Sequence, residues 1–407
     1  MMKTSIYTFK IKLFAIALLM SAFATAQDNS DSTIASLNMD AVYERPFITQ
    51  GKLPVAIGGY LEANMIYAGE EGVNEGLSFQ ARRLTMFMSS SFGKNLSFLS
   101  EIEFEEGGHE INIEFAAMDW YINSGLKFRG GIIMNPIGAF NQNHDGPNWE
   151  FIERPNSATQ LLPATWSNAG FGLHGKFFKK GWTLGYEAYL TNGFDNSIID
   201  NEEHKTFLAA SKDNSERFEE SSNGKSLFTG KLALKHPKYG ELGFSYMGGV
   251  YNKFEEEGLT LDQERSLSVY AIDFNTEIKR TGTRFIGEFA WVEVDVPDTY
   301  LQEYGERQFG GFLDIIQPVY TGKVMDWNKA VINIAARFDY VDWNDGTIIE
   351  TGGNIGDELI AFTPAISLRP TKQTVFRANY RYQIQNDFLD NPGAKSAAWM
   401  LGFSTYF

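Results

Sequence analysis

The chain has no cysteine, which excludes a disulfide framework together with thiolate metal sites and thiolate nucleophiles. Beyond residue 26 it has no run of about 18 apolar residues, the length a membrane-spanning helix needs. Basic charge is scarce: 35 Lys and Arg stand against 51 Asp and Glu, a formal net charge of −16, so bulk attraction to nucleic acid is excluded. The five histidines (109, 144, 174, 204, 236) are scattered, and His109-Glu110 lacks the second histidine of a zinc helix, so no metal cluster is expected. No G-x-S-x-G occurs. Gly170-Phe171-Gly172-Leu173-His174-Gly175 fits G-x-G-x-x-G, but it opens an alternating strand with no helix after it to hold a pyrophosphate. His144-Asp145 alone is a thin basis for an outer-rim hydrolase, so neither an enzyme nor a cofactor is expected.

At the start of the chain, Lys3, Lys10 and Lys12 precede the apolar run Leu13 to Ala24, and Ala24-Thr25-Ala26 supplies small residues for cleavage. This is the pattern of a secretory signal peptide over 1–26. Its removal takes three lysines and no acid, moving the net charge from −16 to −19. Residues 27–54 read as a polar periplasmic lead-in, far too short for the plug of a large transporter. No linker divides 55–407.

Aromatics make up 14% of the chain, with 39 glycines, and from Val55 onward the pattern alternates with period two. The alternation predicts sixteen strands: 55–67, 77–92, 95–105, 111–122, 125–134, 168–178, 181–191, 225–236, 239–251, 265–280, 282–294, 307–321, 329–342, 358–370, 372–386 and 396–407. Tight connections such as Gly93-Lys94-Asn95, Asn123-Ser124-Gly125, Lys179-Lys180-Gly181 and Thr281-Gly282 have turn chemistry. The intervening connections are expected to be longer and are rich in acid. An even strand count with alternating short and long connections predicts an all-β, 16-stranded antiparallel transmembrane β-barrel, with short periplasmic turns and long external loops.

The two faces of each strand differ. Trp182, Leu184, Tyr186, Ala188 and Leu190 alternate with Thr183, Gly185, Glu187 and Tyr189; Phe376, Ala378, Tyr380, Tyr382 and Ile384 alternate with Arg377, Asn379, Arg381 and Gln383. The oily face is assigned to lipid, bounded by the aromatics Phe92, Trp182, Tyr239, Trp291 and Trp343 as interfacial girdles. Trp399, Leu401, Phe403, Thr405 and Phe407 share one face of the last strand, which resembles the recognition strand read by barrel-assembly machinery.

The inward face carries the candidate site. Arg337, Arg369, Arg377 and Arg381 fall on strands 13 to 15 with inward parity, and Arg82 and Arg83 on strand 2, so closure gathers them into one basic sector. Lys127 and Arg129 on strand 5 complete the lumen-facing basic set. Residues 135–167 form a long connection carrying Phe140, Trp149, Phe151, Leu161, Leu162 and Trp166, too apolar to remain in water. It is expected to fold inward as a constriction loop, anchored by its aromatics and stiffened by its prolines. It would bring Asp145, Glu150 and Glu153 across from the arginines, a transverse field that filters solutes by charge. The neutral alternative for each inward charge is simple pairing along the wall.

Several stretches together carry a family likeness: Arg82-Arg83-Leu84, Met118-Asp119-Trp120-Tyr121, Gly130-Gly131, Asn135-Pro136-Ile137-Gly138, Glu153-Arg154-Pro155, Leu162-Pro163, Gly170-Phe171-Gly172 and Ala336-Arg337-Phe338-Asp339-Tyr340. With these the chain resembles the phosphate-selective porin O and P family, in its Bacteroidetes-type branch. The resemblance implies a sixteen-stranded homotrimeric porin of the Gram-negative outer membrane, constricted by its third external loop, with ion transport and phosphate selectivity as the family's property. The expectation is an outer-membrane porin for passive diffusion of small hydrophilic solutes and ions, anion- or phosphate-preferring. Its partners would be outer-membrane lipids, lipopolysaccharide and the assembly machinery. The alternative is a surface adhesin or binding scaffold anchored by a closed barrel.

Overall fold

The structure is a computed structural model that describes residues 36–46, 55–391 and 393–407. The predicted signal peptide and most of the predicted lead-in lie outside the described residues. Sixteen antiparallel strands close into one barrel. They are β1 (Val55–Glu70), β2 (Val73–Phe92), β3 (Leu96–Glu105), β4 (Glu110–Asn123), β5 (Leu126–Met134), β6 (Ser167–Lys179), β7 (Trp182–Asn192), β8 (Ser226–His236), β9 (Gly240–Val250), β10 (Ser266–Ile278), β11 (Thr283–Val294), β12 (Arg307–Val324), β13 (Trp327–Asp342), β14 (Glu358–Arg369), β15 (Thr374–Gln385) and β16 (Ala394–Tyr406). The ring closes where β1 pairs with β16, from Tyr60 opposite Tyr406 to Glu70 opposite Ser396. Among the described residues no helix is long and apolar enough to cross a membrane; the strands cross it.

Alternation decides the faces as expected. On β16, Trp399 and Leu401 are exposed outward while Ala398, Met400 and Ser404 are buried inward. Phe92, Trp182, Tyr239 and Trp291 lie exposed on the outer surface, in keeping with girdles. Trp343 does not: it is 3% exposed, its Nε1 donates to the Gln160 carbonyl, and the Lys205 ammonium sits 4.0 Å from its ring centroid. Trp343 follows β13 into a loop, where the period-two rule no longer decides which way a side chain points.

The strict short/long alternation is also corrected. The external connection between β1 and β2 is only Glu71-Gly72, both at positive φ (48° and 79°), the primed turn whose twist suits a hairpin. Pairing therefore runs on through Glu70–Val73. The β3–β4 connection is likewise a single short turn, Glu106–Gly108. The long external loops are the later ones. Loop 3 (135–166) and loop 4 (193–225) turn inward, and a small hairpin, Glu255–Glu256 with Leu259–Thr260, decorates the connection after β9.

The interior is not uniformly polar. Ile137, Leu161, Leu162 and Trp166 of loop 3 and Phe194, Ile198, Ile199 and Leu208 of loop 4 pack on Leu227, Met247, Leu267, Val269, Val292 and Leu359 of β8–β14. A second cluster seats Phe140, Trp149 and Phe151 on Ile286, Phe312, Ile316, Ala335 and Ala365. The loop aromatics thus do anchor loop 3 to the inner wall. Below them, on the periplasmic side, residues 36–46 lie inside the barrel as a strap built on the 3-10 turn Asn38–Tyr43, with Leu37, Met39 and Val42 buried.

Candidate functional site

Loop 3 comes close to side chains of the wall at two glycines. A Cβ on Gly138, which has φ +65°, would stand 2.4 Å from the Glu288 carboxylate, and one on Gly146 would stand 2.7 Å from Ser404 Oγ and 2.8 Å from Glu62 Oε2. Wall carboxylates then take up loop N–H groups that burial would otherwise leave unpaired. Glu288 accepts from Ala139 and Phe140 at 2.5 and 2.9 Å, and Asp339 accepts from Asn156 and Ser157 at 2.6 and 3.1 Å. In return Arg377 donates to the carbonyls of Gly146 and Phe151 at 3.1 and 2.7 Å, and Lys231 donates to that of Gly138 at 2.5 Å.

The charges expected to face one another across open water are in contact. Glu150 pairs with Arg284 at 2.7 Å and with Arg369 at 2.8 Å. Burial pushes its carboxyl up, but Arg369 and Arg284, helped by the Ser367 hydroxyl, outweigh that and hold it below the ordinary glutamate range. Glu153 pairs with Arg381. Asp145 is gripped by Arg45 of the strap at 2.6 and 2.7 Å and accepts from the Tyr406 hydroxyl at 2.7 Å. Arg337 forks onto Asp314 at 2.7 Å through both nitrogens, donates to the Glu153 carbonyl and lies 4.3 Å over the Phe151 ring. The physical reason is desolvation: a carboxylate carried into the lumen loses its water and must find a cation or donor directly.

The basic sector assembles, with one refinement. The β1–β2 register slips between Glu62/Ala63 and Arg83/Ala81, so Arg82 is the extra residue of a bulge. This lets consecutive arginines both turn toward the lumen. Arg82, Arg83, Glu105 and Glu153 line an external cavity of about 580 Å³. Arg83 holds Glu103 at 2.6 Å and Glu105 at 2.7 Å, with Glu62 at 3.5 Å, and Glu62 takes Arg377 at 2.9 Å.

Lys127 and Arg129 lie apart from this sector, on the periplasmic side. Arg129 pairs with Asp119 at 2.7 Å and stacks 3.6 Å over Tyr43 of the strap. Lys127 shares a cavity of about 160 Å³ with His174, Lys176 and Asp40, and a neighbouring one of about 350 Å³ is lined by Arg45, Ser89, Ser90 and Asp119. Where loop 3 meets β1, β2 and β15, a pocket of only about 10 Å³ is bordered by Glu62, Arg83, His144, Arg154 and Arg377 together with the loop's Phe140, Trp149, Phe151 and Ile152.

Sequence reading missed Glu62, Glu101, Glu103, Glu288, Asp314 and Asp339, although each sits at an inward period-two position of its strand, the signal used for the arginines. It reads 27–54 as a periplasmic lead-in at the barrel mouth and foresees none of the strap's contacts. Arg45 also bonds Glu101 at 2.7 Å, Asp40 bonds Lys176 at 2.5 Å, and Asn38 donates its backbone N–H to Glu241 and its side-chain N–H to the Ala139 carbonyl, while its side-chain oxygen accepts from Asn143. Burial is the main cause that raises the Asp40 carboxyl, against the pull of Lys176.

No protein-family model matches the chain. An uncharacterized protein of Aquifex aeolicus (strain VF5) is 26% identical over 376 residues, covering 87% of this chain and 81% of that one. Among solved structures, the anion-selective porin from Comamonas acidovorans superposes with a TM-score of 0.54 at 11% identity, covering 87% of this chain and 99% of that one. The outer membrane channel DcaP of Acinetobacter baumannii does so with 0.52 at 11% identity (87% and 97%), and OprB of Pseudomonas putida with 0.51 at 10% (87% and 94%). At these identities the likeness is one of fold: the barrel is similar to those of these outer-membrane porins.

Proposed function

We propose that the protein is an outer-membrane porin, exported through a cleaved signal peptide, that lets small hydrophilic solutes and ions diffuse through a charged waist. The observation that carries this reading is a closed 16-stranded barrel in whose interior charges of loop 3 meet charges of the wall, Glu150 with Arg284 and Arg369 and Glu153 with Arg381. Ion pairs are the kind of closure that a passing ion can exchange with, because each partner already tolerates a counter-charge at contact distance. Arg82, Arg83, Arg377 and Arg381 crowd one side of this waist, which supports a preference for anions, phosphate included. Glu62, Glu103 and Glu153 beside them keep that preference modest. Assembly as a homotrimer, recognition of β16 by the assembly machinery and contact of the acid-rich loops with lipopolysaccharide belong to the same reading.

Single-channel recording in planar bilayers tests it. Stable conductance steps, with a reversal potential displaced toward anions under a salt gradient, are expected. Liposome swelling with sugars, phosphates and amino acids then ranks the solutes. A second reading, a closed barrel that anchors a binding surface, draws on the apolar packing of loops 3 and 4 against β8–β14, and a barrel that never conducts would favour it.

A further inference from the structure

His144, Glu101 and Glu103 meet where loop 3 touches β3. Glu101 and Glu103 are two apart on one strand and so share its inward face; His144 arrives from the loop. All three are buried, and one ligand-type atom from each lies within 4.8 Å of the others. The hydrogen bonds leave one facing oxygen bare and a second contact long. His144 Nδ1 lies 2.8 Å from the Asn141 carbonyl, which only accepts, so Nδ1 carries the hydrogen and donates it. Nε2, the ring's remaining ligand atom, faces Glu101 Oε1 3.4 Å away and Asp145 Oδ1 3.6 Å away. Glu101 Oε2 is committed to Arg45 and Glu103 Oε1 to Arg83. Glu103 Oε2, on a residue 1% exposed, has no hydrogen-bond partner among the described residues.

Three electron-rich atoms converge, and each ligand group is fixed from behind by a partner on its other atom, the arrangement that orients metal ligands. A proton on Nε2 would answer Glu101 and still leave Glu103 Oε2 bare; a divalent cation answers all three. The 3.4 Å between Nε2 and Oε1 is also the edge that bonds of about 2.0–2.1 Å produce in a tetrahedral site. We infer that Glu101, Glu103 and His144 form a binding site for one borderline divalent cation of the zinc class, stapling loop 3 to β3 at the waist. One imidazole and two carboxylates suit Zn²⁺ better than the all-oxygen cations, and water completes the coordination. The inference concerns the loop's attachment and stands whether or not the barrel conducts.

The experiment uses the full chain in detergent, stripped with chelator and titrated with ZnCl₂ by calorimetry, with bound metal counted after desalting. Wild type is expected to retain one Zn²⁺ per chain more than His144→Ala, which sets aside weak binding by the acidic loops. Glu103→Gln, which keeps the side chain's shape, is expected to lose that same equivalent, with folding checked by circular dichroism. Co²⁺ in place of Zn²⁺ is expected to give d–d absorption bands in wild type that are absent from both variants. Equal metal content in wild type and His144→Ala, or a Co²⁺ spectrum of the hexa-aqua ion alone, overturns the site.

Discussion

Over part of the β8–β14 wall the loops are held by apolar side chains: Trp166, Leu161 and Phe194 meet Val269, Val292 and Leu359, beside ionic contacts such as Glu150 with Arg284 and Arg369. On the side that runs through the β1–β16 seam, from β15 to β3, loop 3 is held by charge: Glu62, Arg83, Glu103, Arg154 and Arg377. Apolar contacts of this kind hold the loops to the wall without any charge for a passing ion to exchange with. The ionic contacts are built from groups that can trade one counter-charge for another. One loop is therefore held by two kinds of contact, apolar and ionic, and the ionic one gathers toward the β1–β16 seam.

The comparison is broken most completely by removing the loop stretch that makes both kinds of contact. Deletion of 142–153 is expected to raise single-channel conductance severalfold, and an unchanged step size would place the conducting path elsewhere. Next in size is the apolar anchor. Trp149 packs 4.9 Å from Phe140 and 6.0 Å from Phe312, ring centre to ring centre; Trp149→Ala should weaken loop docking by about 3–5 kcal/mol, seen as faster proteolysis within loop 3 and noisy, enlarged openings.

Among the ionic contacts, Arg377→Ala leaves Glu62 buried beside one fewer cation and frees two loop carbonyls. A loss of about 3–5 kcal/mol is typical when one partner of a buried pair is removed. With Arg381→Ala added, the reversal potential should move toward cations, and no movement would show that these arginines are only wall structure. The smallest effect is acidic. Glu150 is held below the ordinary glutamate value of 4.5, so its contribution is present above that pH and is lost only as pH falls through its lower folded value. Loop 3 should stay docked at mildly acid pH and loosen in stronger acid, with Glu150→Gln removing that acid step from the conductance profile.

The barrel was legible because period two needs only neighbouring residues: Phe376 and Arg377 declare opposite faces without reference to the rest of the chain. The inward arginines followed from the same rule. Loop 3 was legible through composition, since Trp149 and Phe151 had to be covered by something. What covers them was not, because inward apolar residues such as Val292 and Val294 look like any buried strand. The acid partners of the arginines were on view at inward positions, but which carboxylate meets which guanidinium depends on the path of the loop. The strap has no period and only scattered apolar residues; its place rests on contacts such as Arg45 with Asp145, 100 residues apart. Glu101, Glu103 and His144 likewise come together from separate elements, which is why histidine spacing gave no hint of them.

The bonds at the seam set an order of events in assembly. Arg377 reaches Glu62 across 315 residues and Tyr406 reaches Asp145 across 261, each joining a late strand to something made early. Neither contact exists until β16 has found β1. The waist is therefore finished last, by the same ring closure that completes the barrel, and a chain halted before that step carries loop 3 without these two latches.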